Sequence, residues 1–137
     1  MSGMTHLDDQ GRARMVDVSG KPETVREAAA EARVTLAPAT RQALFTGDLP
    51  KGDARAVVRL AAIMGAKRTA DLVPLCHPIE LSAVEADIEE IEEGARVEVR
   101  VRTTGRTGVE MEAMTGAALG AIALYDMVKG LDRGAEI

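Results

Sequence analysis

The sequence predicts an α+β domain, and three observations carry that reading. Residues 79–91 and 95–103 alternate in side-chain character on either side of Glu92-Glu93-Gly94, which is the pattern of an antiparallel hairpin. Residues 53–68 and 111–129 instead space their apolar side chains three and four apart, which is the pattern of helices with apolar faces. The chain has 137 residues, so it makes roughly one domain, large enough to bury about two-thirds of its unfolded surface.

The elements follow in order. Residues 1–12 are polar, carry Gly3 and Gly11, and read as a flexible N-terminal arm ahead of a single domain over 13–137. Arg14-Met-Val-Asp-Val18 is a short strand candidate closed by Ser19-Gly20. Residues 22–36 carry two signals. Val25 to Arg33 is rich in helix formers, yet Arg26, Ala28, Ala30, Ala32, Val34 and Leu36 repeat with period two. Residues 38–45 suggest a short helix with Pro38 in its first turn and Thr46-Gly47 at its end. Asp53 is placed to cap the helix that runs to about Arg68. Pro74 and Pro78 force the residues before them toward extended geometry, so 71–78 reads as a stiff irregular segment. Gly130 stops the last helix, and Asp132-Arg133-Gly134 turns the chain.

Composition excludes several function classes. Net charge is −5, with one Phe, one Tyr and no Trp. That argues against a nucleic-acid coat and against a stacking platform for single strands, so no nucleic-acid partner is expected. One cysteine, Cys76, excludes an internal disulfide, and with only His6 and His77 no Cys/His zinc knuckle assembles within one chain. No metal site and no cofactor are expected. No stretch reaches 18 uninterrupted apolar residues and the start lacks a signal-peptide pattern, so no membrane partner is expected either. The default location is a reducing compartment, the cytoplasm.

Four places carry residues suited to chemistry, each beside a plainer reading. Lys51-Gly-Asp53 opens a helix, where free N–H groups and a lysine hold phosphates; a solvated turn looks the same. Lys67 ends that helix, where it also complements the dipole. Leu75, Cys76 and His77 lie between the prolines. Neighbours in extended chain point to opposite faces, so a Cys–His nucleophile pair is disfavoured; His77 suits a phosphate or purine-like ring, and Cys76 suits core filling. Glu110-Met111-Glu112 places two carboxylates at a loop–helix junction. In extended chain they would share a side and accept an N–H pair; in a helix they diverge by about 200°. Asp126 and Lys129 are three apart in a last helical turn, which serves either a proton-transfer unit or a simple ion pair. No Walker, dinucleotide, H-E-x-x-H or CxxC pattern occurs.

Several segments together resemble one family. They are Met15-Val-Asp-Val-Ser19, Lys51-Gly-Asp53, Ala66-Lys-Arg-Thr-Ala-Asp-Leu-Val-Pro-Leu-Cys-His-Pro78, Thr107-Gly-Val-Glu-Met-Glu-Ala-Met-Thr115 and Tyr125-Asp-Met-Val-Lys-Gly-Leu-Asp-Arg133. In this order they resemble the cyclic pyranopterin monophosphate synthases, the C protein of molybdenum cofactor biosynthesis. The resemblance implies conversion of 3′,8-cyclo-7,8-dihydroguanosine 5′-triphosphate into cyclic pyranopterin monophosphate with release of diphosphate. It implies Asp126 and Lys129 as the catalytic pair. It implies Lys51, Lys67, Leu75, Cys76, His77, Glu110, Met111 and Glu112 as substrate-binding positions. It further implies a ferredoxin-like antiparallel sheet with two long helices on one side, a strand at 23–36, and a homo-hexamer, a trimer of dimers with interface active sites. Lys51 and His77 are then expected in one cavity, with Asp126 and Lys129 lining it or a symmetry-completed equivalent. Family chains commonly continue with another strand and a Gly/Lys/Ser-rich tail where this sequence stops at Ile137, so two readings stand: the fold lacks its last strand, or the sequence is cut short. Two other classes stay open on the residues alone: a silent binder of a guanine nucleotide or pterin, and an interaction module in which Asp126 and Lys129 form only a salt bridge.

Overall fold

The computed structural model describes residues 6–137. The elements run β1 (Thr24–Thr35), α1 (Pro38–Thr46), α2 (Ala54–Lys67), α3 (Thr69–Leu72), β2 (Ala83–Ile91), β3 (Gly94–Gly105) and α4 (Glu110–Val128). The three strands form one antiparallel sheet in the order β1-β3-β2. Both long helices, α2 and α4, pack on one face of it, as expected of a ferredoxin-like α+β subunit. Beyond α4, Glu136 exchanges backbone hydrogen bonds of 2.7 and 3.2 Å with Thr35, on the edge of β1 that β3 does not use.

The strand at 24–35 settles the conflict between local propensity and period-two pattern. Twelve residues pair with β3, from Thr24 opposite Gly105 to Thr35 opposite Gly94. A helical preference of a few tenths of a kcal/mol per residue does not offset a full ladder and the burial of one face. That face carries Ala28, Ala30, Ala32 and Val34, against Val97, Val99 and Val101 of β3. The opposite face is a lattice of arginines and carboxylates, including Arg96–Glu31 at 3.3 Å and Arg100–Glu98 at 3.0 Å. One side of the sheet therefore faces water and the other holds the core.

Gly94 makes the hairpin possible. A Cβ there would lie 2.0 Å from the Val34 carbonyl oxygen, so only glycine lets β1 close on the turn. Small residues set the helix layer in the same way. Gly116 sits against the Ala62 carbonyl, Gly120 against Val97 and Ala62, and Gly65 against Leu119. These contacts run α2 and α4 antiparallel, with the start of one beside the end of the other.

Two expectations need correction. Residues 14–18 form no strand and pair with no strand of the sheet among the described residues. Strand β2 starts at Ala83, not at 79, because the Glu80 carbonyl is taken by the Thr103 hydroxyl rather than by a ladder. In the stretch read as an arm at 1–12, Leu7 bridges Ala13, and the Asp8 carboxylate accepts the backbone N–H groups of Gln10 and Arg12. Residues 1–5 of that arm lie outside the described residues. The helices at 38–46, 54–67 and 110–128 stand within about two residues of their expected bounds.

Candidate active site

The chemistry-bearing side chains gather at two ends of the α2–α4 pair. At the first end, Leu49 is anchored in the core and Gly52, at φ 100°, turns the chain so that Asp53 accepts the Ala56 N–H and caps α2. This turn presents Lys51 to the last turn of α4. Its ammonium donates to the Asp126 carbonyl oxygen at 2.9 Å and to the Asp126 carboxylate at 3.3 Å. That carbonyl is among the last four of α4, which no intrahelical donor reaches, and it lies at the negative end of the helix dipole. Lys129 approaches the same carboxylate oxygen from one turn further on, at 2.9 Å.

Two ammonium groups thus converge on one carboxylate oxygen. All three side chains are about half exposed, so the pair is open to a ligand. Hydrogen bonds from Lys129 and then Lys51 hold the Asp126 carboxyl below its ordinary range, and Asp126 in turn raises the Lys129 ammonium. Both are charged at neutral pH, with one more cation than anion at the site.

At the second end, Thr69 is buried and donates its hydroxyl to the Gly65 and Ala66 carbonyls, closing the C-terminus of α2. The chain makes the single turn α3, then Cys76 N–H bonds to the Val73 carbonyl within the proline-bounded segment. Lys67, Arg68, Asp71, Pro78 and Glu112 line a cavity of about 180 Å³. A neighbouring hollow of about 400 Å³ shares Lys67 and Ile79 with it.

The glutamates have parted, as helical geometry requires: Glu110 is exposed, while Glu112 is only 4% exposed. Burial pushes the Glu112 carboxyl up, with the neighbouring charge of Glu110 adding to it, and Glu112 makes no ion pair among the described residues. The Cys76 thiol is raised by burial and by the nearby Glu112. It is a poor nucleophile here, in keeping with a packing role.

Lys51 and His77 do not share a cavity within one chain. Lys51 meets Asp126 at the end of α4, whereas His77 adjoins Pro78, which lines the cavity with Glu112 at the start of α4. Sixteen residues of helix separate Glu110 from Asp126, about 24 Å at 1.5 Å each. The antiparallel packing of α2 on α4 imposes this, since Lys51 precedes α2 and His77 follows it. Met111 is exposed at the second end, and Leu75 is half-buried beside it in sequence with Cys76. Asp17 was missed. It is held low by the Ser19 N–H and hydroxyl and, further, by the positive field of His77. Its place within Met15-Val-Asp-Val-Ser19 was the available signal.

The MoaC family model matches residues 15–137. The chain is 53% identical over 139 residues to a cyclic pyranopterin monophosphate synthase of Thermomicrobium roseum, covering 100% of this chain and 84% of that one. It is 54% identical over 136 residues to the protein of that name from Herpetosiphon aurantiacus, covering 98% of this chain and 83% of the relative. Against the Streptomyces coelicolor protein of that name it is 52% identical over 134 residues, with 98% and 79% covered. The motifs of both ends fall inside the matched span, and the chain belongs to the MoaC family.

Proposed function

We propose that the chain is an enzyme that carries out the reaction named for its relatives. It converts 3′,8-cyclo-7,8-dihydroguanosine 5′-triphosphate into cyclic pyranopterin monophosphate, a step of molybdenum cofactor biosynthesis, and acts in the cytoplasm. The observation that carries this reading is the triad at the end of α4, in which Lys51 and Lys129 converge on Asp126. Closing the cyclic phosphate needs a sugar hydroxyl to attack the α-phosphorus as its proton leaves and as the bond to diphosphate breaks. An ionised carboxylate accepts that proton, and ammonium groups offset charge on the phosphates or return a proton to the ring. Asp126 is the base and Lys129 the acid or charge clamp. Lys51 steadies Asp126 and faces the polyphosphate.

The second end supplies the remaining contacts: Lys67 and His77 toward phosphate, Glu110 and Glu112 as acceptors for N–H groups of the pterin edge, and Leu75, Cys76 and Met111 as walls. Two ends about 24 Å apart are too distant for one small substrate. We read the working particle as a homo-hexamer, a trimer of dimers, in which one subunit's Asp126 end meets its partner's Glu112 end. In the described residues no helix is long and apolar enough to cross a membrane, and no three His, Cys, Asp or Glu side chains cluster to hold a metal.

The test is single-turnover conversion by a folded, assembled Asp126→Asn protein. Loss of a positioned base lowers conversion by about 10²–10⁴-fold, with substrate binding changed much less. Conversion near the unaltered rate would leave Asp126 and Lys129 as an ordinary, solvent-screened surface ion pair.

A further inference from the structure

Beyond α4 the chain turns through Asp132, which is only 8% exposed although Leu131 and Arg133 on either side are open to solvent. Its backbone N–H donates to the Val128 carbonyl at 3.0 Å, so Asp132 belongs to the turn that ends α4. Two backbone N–H groups meet its carboxylate. One oxygen accepts from Gly134 at 3.1 Å, within the turn itself. The other accepts from Ala37 at 2.8 Å, and Ala37 lies 95 positions earlier in the chain.

Ala37 stands immediately before α1. That helix has no acidic residue in its first turn and no side-chain cap of its own. The Asp132 carboxylate brings from a distance the negative group that a helix start favours. The same bond closes a loop of structure. From Ala37 the chain runs through α1 and the buried Leu49 to Lys51, whose ammonium holds Asp126. From Asp126 it runs through the end of α4, past Lys129, to Asp132. The Lys51–Asp126 closure of this loop is about half exposed, while the Asp132–Ala37 closure is formed by a buried carboxylate.

We propose that Asp132 is a positioning residue for the reaction: through Ala37 it sets α1, and with it Lys51, against the end of α4, so that Lys51 and Lys129 stay on the Asp126 carboxylate. The inference rests on the catalytic reading of Asp126 given above. Thr35 and Glu136 join the same two segments by two backbone hydrogen bonds, so the segments stay together without the carboxylate. What the carboxylate adds is the placement of α1. An error of about 1 Å in such placement costs up to about 10²-fold in rate.

Two substitutions separate the two bonds. Asp132→Ser keeps an oxygen beside Gly134 but falls short of Ala37, whereas Asp132→Asn keeps an oxygen at the reach of Ala37. Both remove the charge, and loss of a nearby negative group would by itself move the Asp126 titration down. Lys51 and Lys129 are the charged groups that hold that carboxyl low. In Asp132→Ser their contacts loosen. The Asp126 midpoint, followed by carboxyl carbon-13 NMR without substrate, should then move up toward that of an ordinary aspartate. In the same variant kcat should fall by about 10–10²-fold with KM within about threefold. Asp132→Asn should stay near the unaltered protein in both readings. A lower melting temperature with midpoint and kcat unchanged, or equal losses in the two variants, overturns the proposal. If Asp132→Ser does not fold, Ala37→Pro cuts the same bond from the other side. Ala37 is exposed, and its φ of −60° suits proline, which lacks the N–H. The same two readings then decide. A midpoint that moves as expected, in a protein that does not convert the triphosphate even when unaltered, would instead count against the assigned reaction.

Discussion

Lys51 and Asp126 stand 75 positions apart in the chain and are joined twice, by carbonyl and carboxylate, through one ammonium group. The joint ties the start of α2 to the end of α4 and, after Lys129, helps to hold the Asp126 carboxyl low.

Replacing Lys51 by Gln removes one of the two cations that hold the Asp126 carboxyl low. With less stabilisation of its ionised form, that carboxyl titrates at higher pH. The acid limb of the kcat/KM profile should therefore move upward, while at neutral pH, where the carboxyl stays ionised, titration itself changes conversion little. A profile of unchanged shape with a raised KM alone would mean that Lys51 only binds substrate.

Glu112 gives a stability prediction with the opposite sign from a paired carboxylate. Its folded pKa lies above the unfolded value, so the native state binds more protons in that interval. Stability then falls as pH rises through the ordinary glutamate range and stays lower at neutral pH. Glu112→Gln should raise stability at pH 7 by on the order of 1 kcal/mol, with little gain near pH 4, while conversion falls. Urea unfolding at the two pH values measures it. Destabilisation at pH 7 would show that the Glu112 carboxylate has a stabilising partner.

Gly116→Ala weighs propensity against packing. Alanine gains about 1 kcal/mol in a helix interior. The new Cβ would stand 2.9 Å from the Ala62 carbonyl oxygen, and a backbone atom does not swing aside. Overpacking of this kind costs about 1–3 kcal/mol, so the variant should be less stable by about 1 kcal/mol or more. A more stable variant would mean that α2 and α4 slide apart at little cost.

Periodicity made the hairpin at 83–105 and the helices at 54–67 and 110–128 legible, because each buries one face and the spacing records it. Strand β1 was only half legible from its own residues, whose period-two series competed with a run of helix formers. Its helix formers point one way and its ladder to β3 is a property of residues some 70 positions away. Asp126 and Lys129 could be paired from spacing, since three positions make neighbours on a helix. The company of Lys51 could not, because it follows from the antiparallel packing of α2 on α4. The parting of Glu110 and Glu112 turned on one boundary, whether the helix begins at or after Glu110, and boundaries are what sequence patterns fix least well.

The most direct test of the site shared between two copies is subunit complementation. Asp126→Asn and Glu112→Gln chains are each expected to be nearly inactive by themselves. Co-expressed, they pair at random and about half the pairs are mixed. Each mixed pair holds one doubly altered site and one built wholly from unaltered side chains, so about a quarter of full activity should return. Conversion of the cyclised triphosphate by the purified mixture measures it. Activity near a quarter is the predicted result; activity no higher than that of the two parents would mean that each site is complete within one chain.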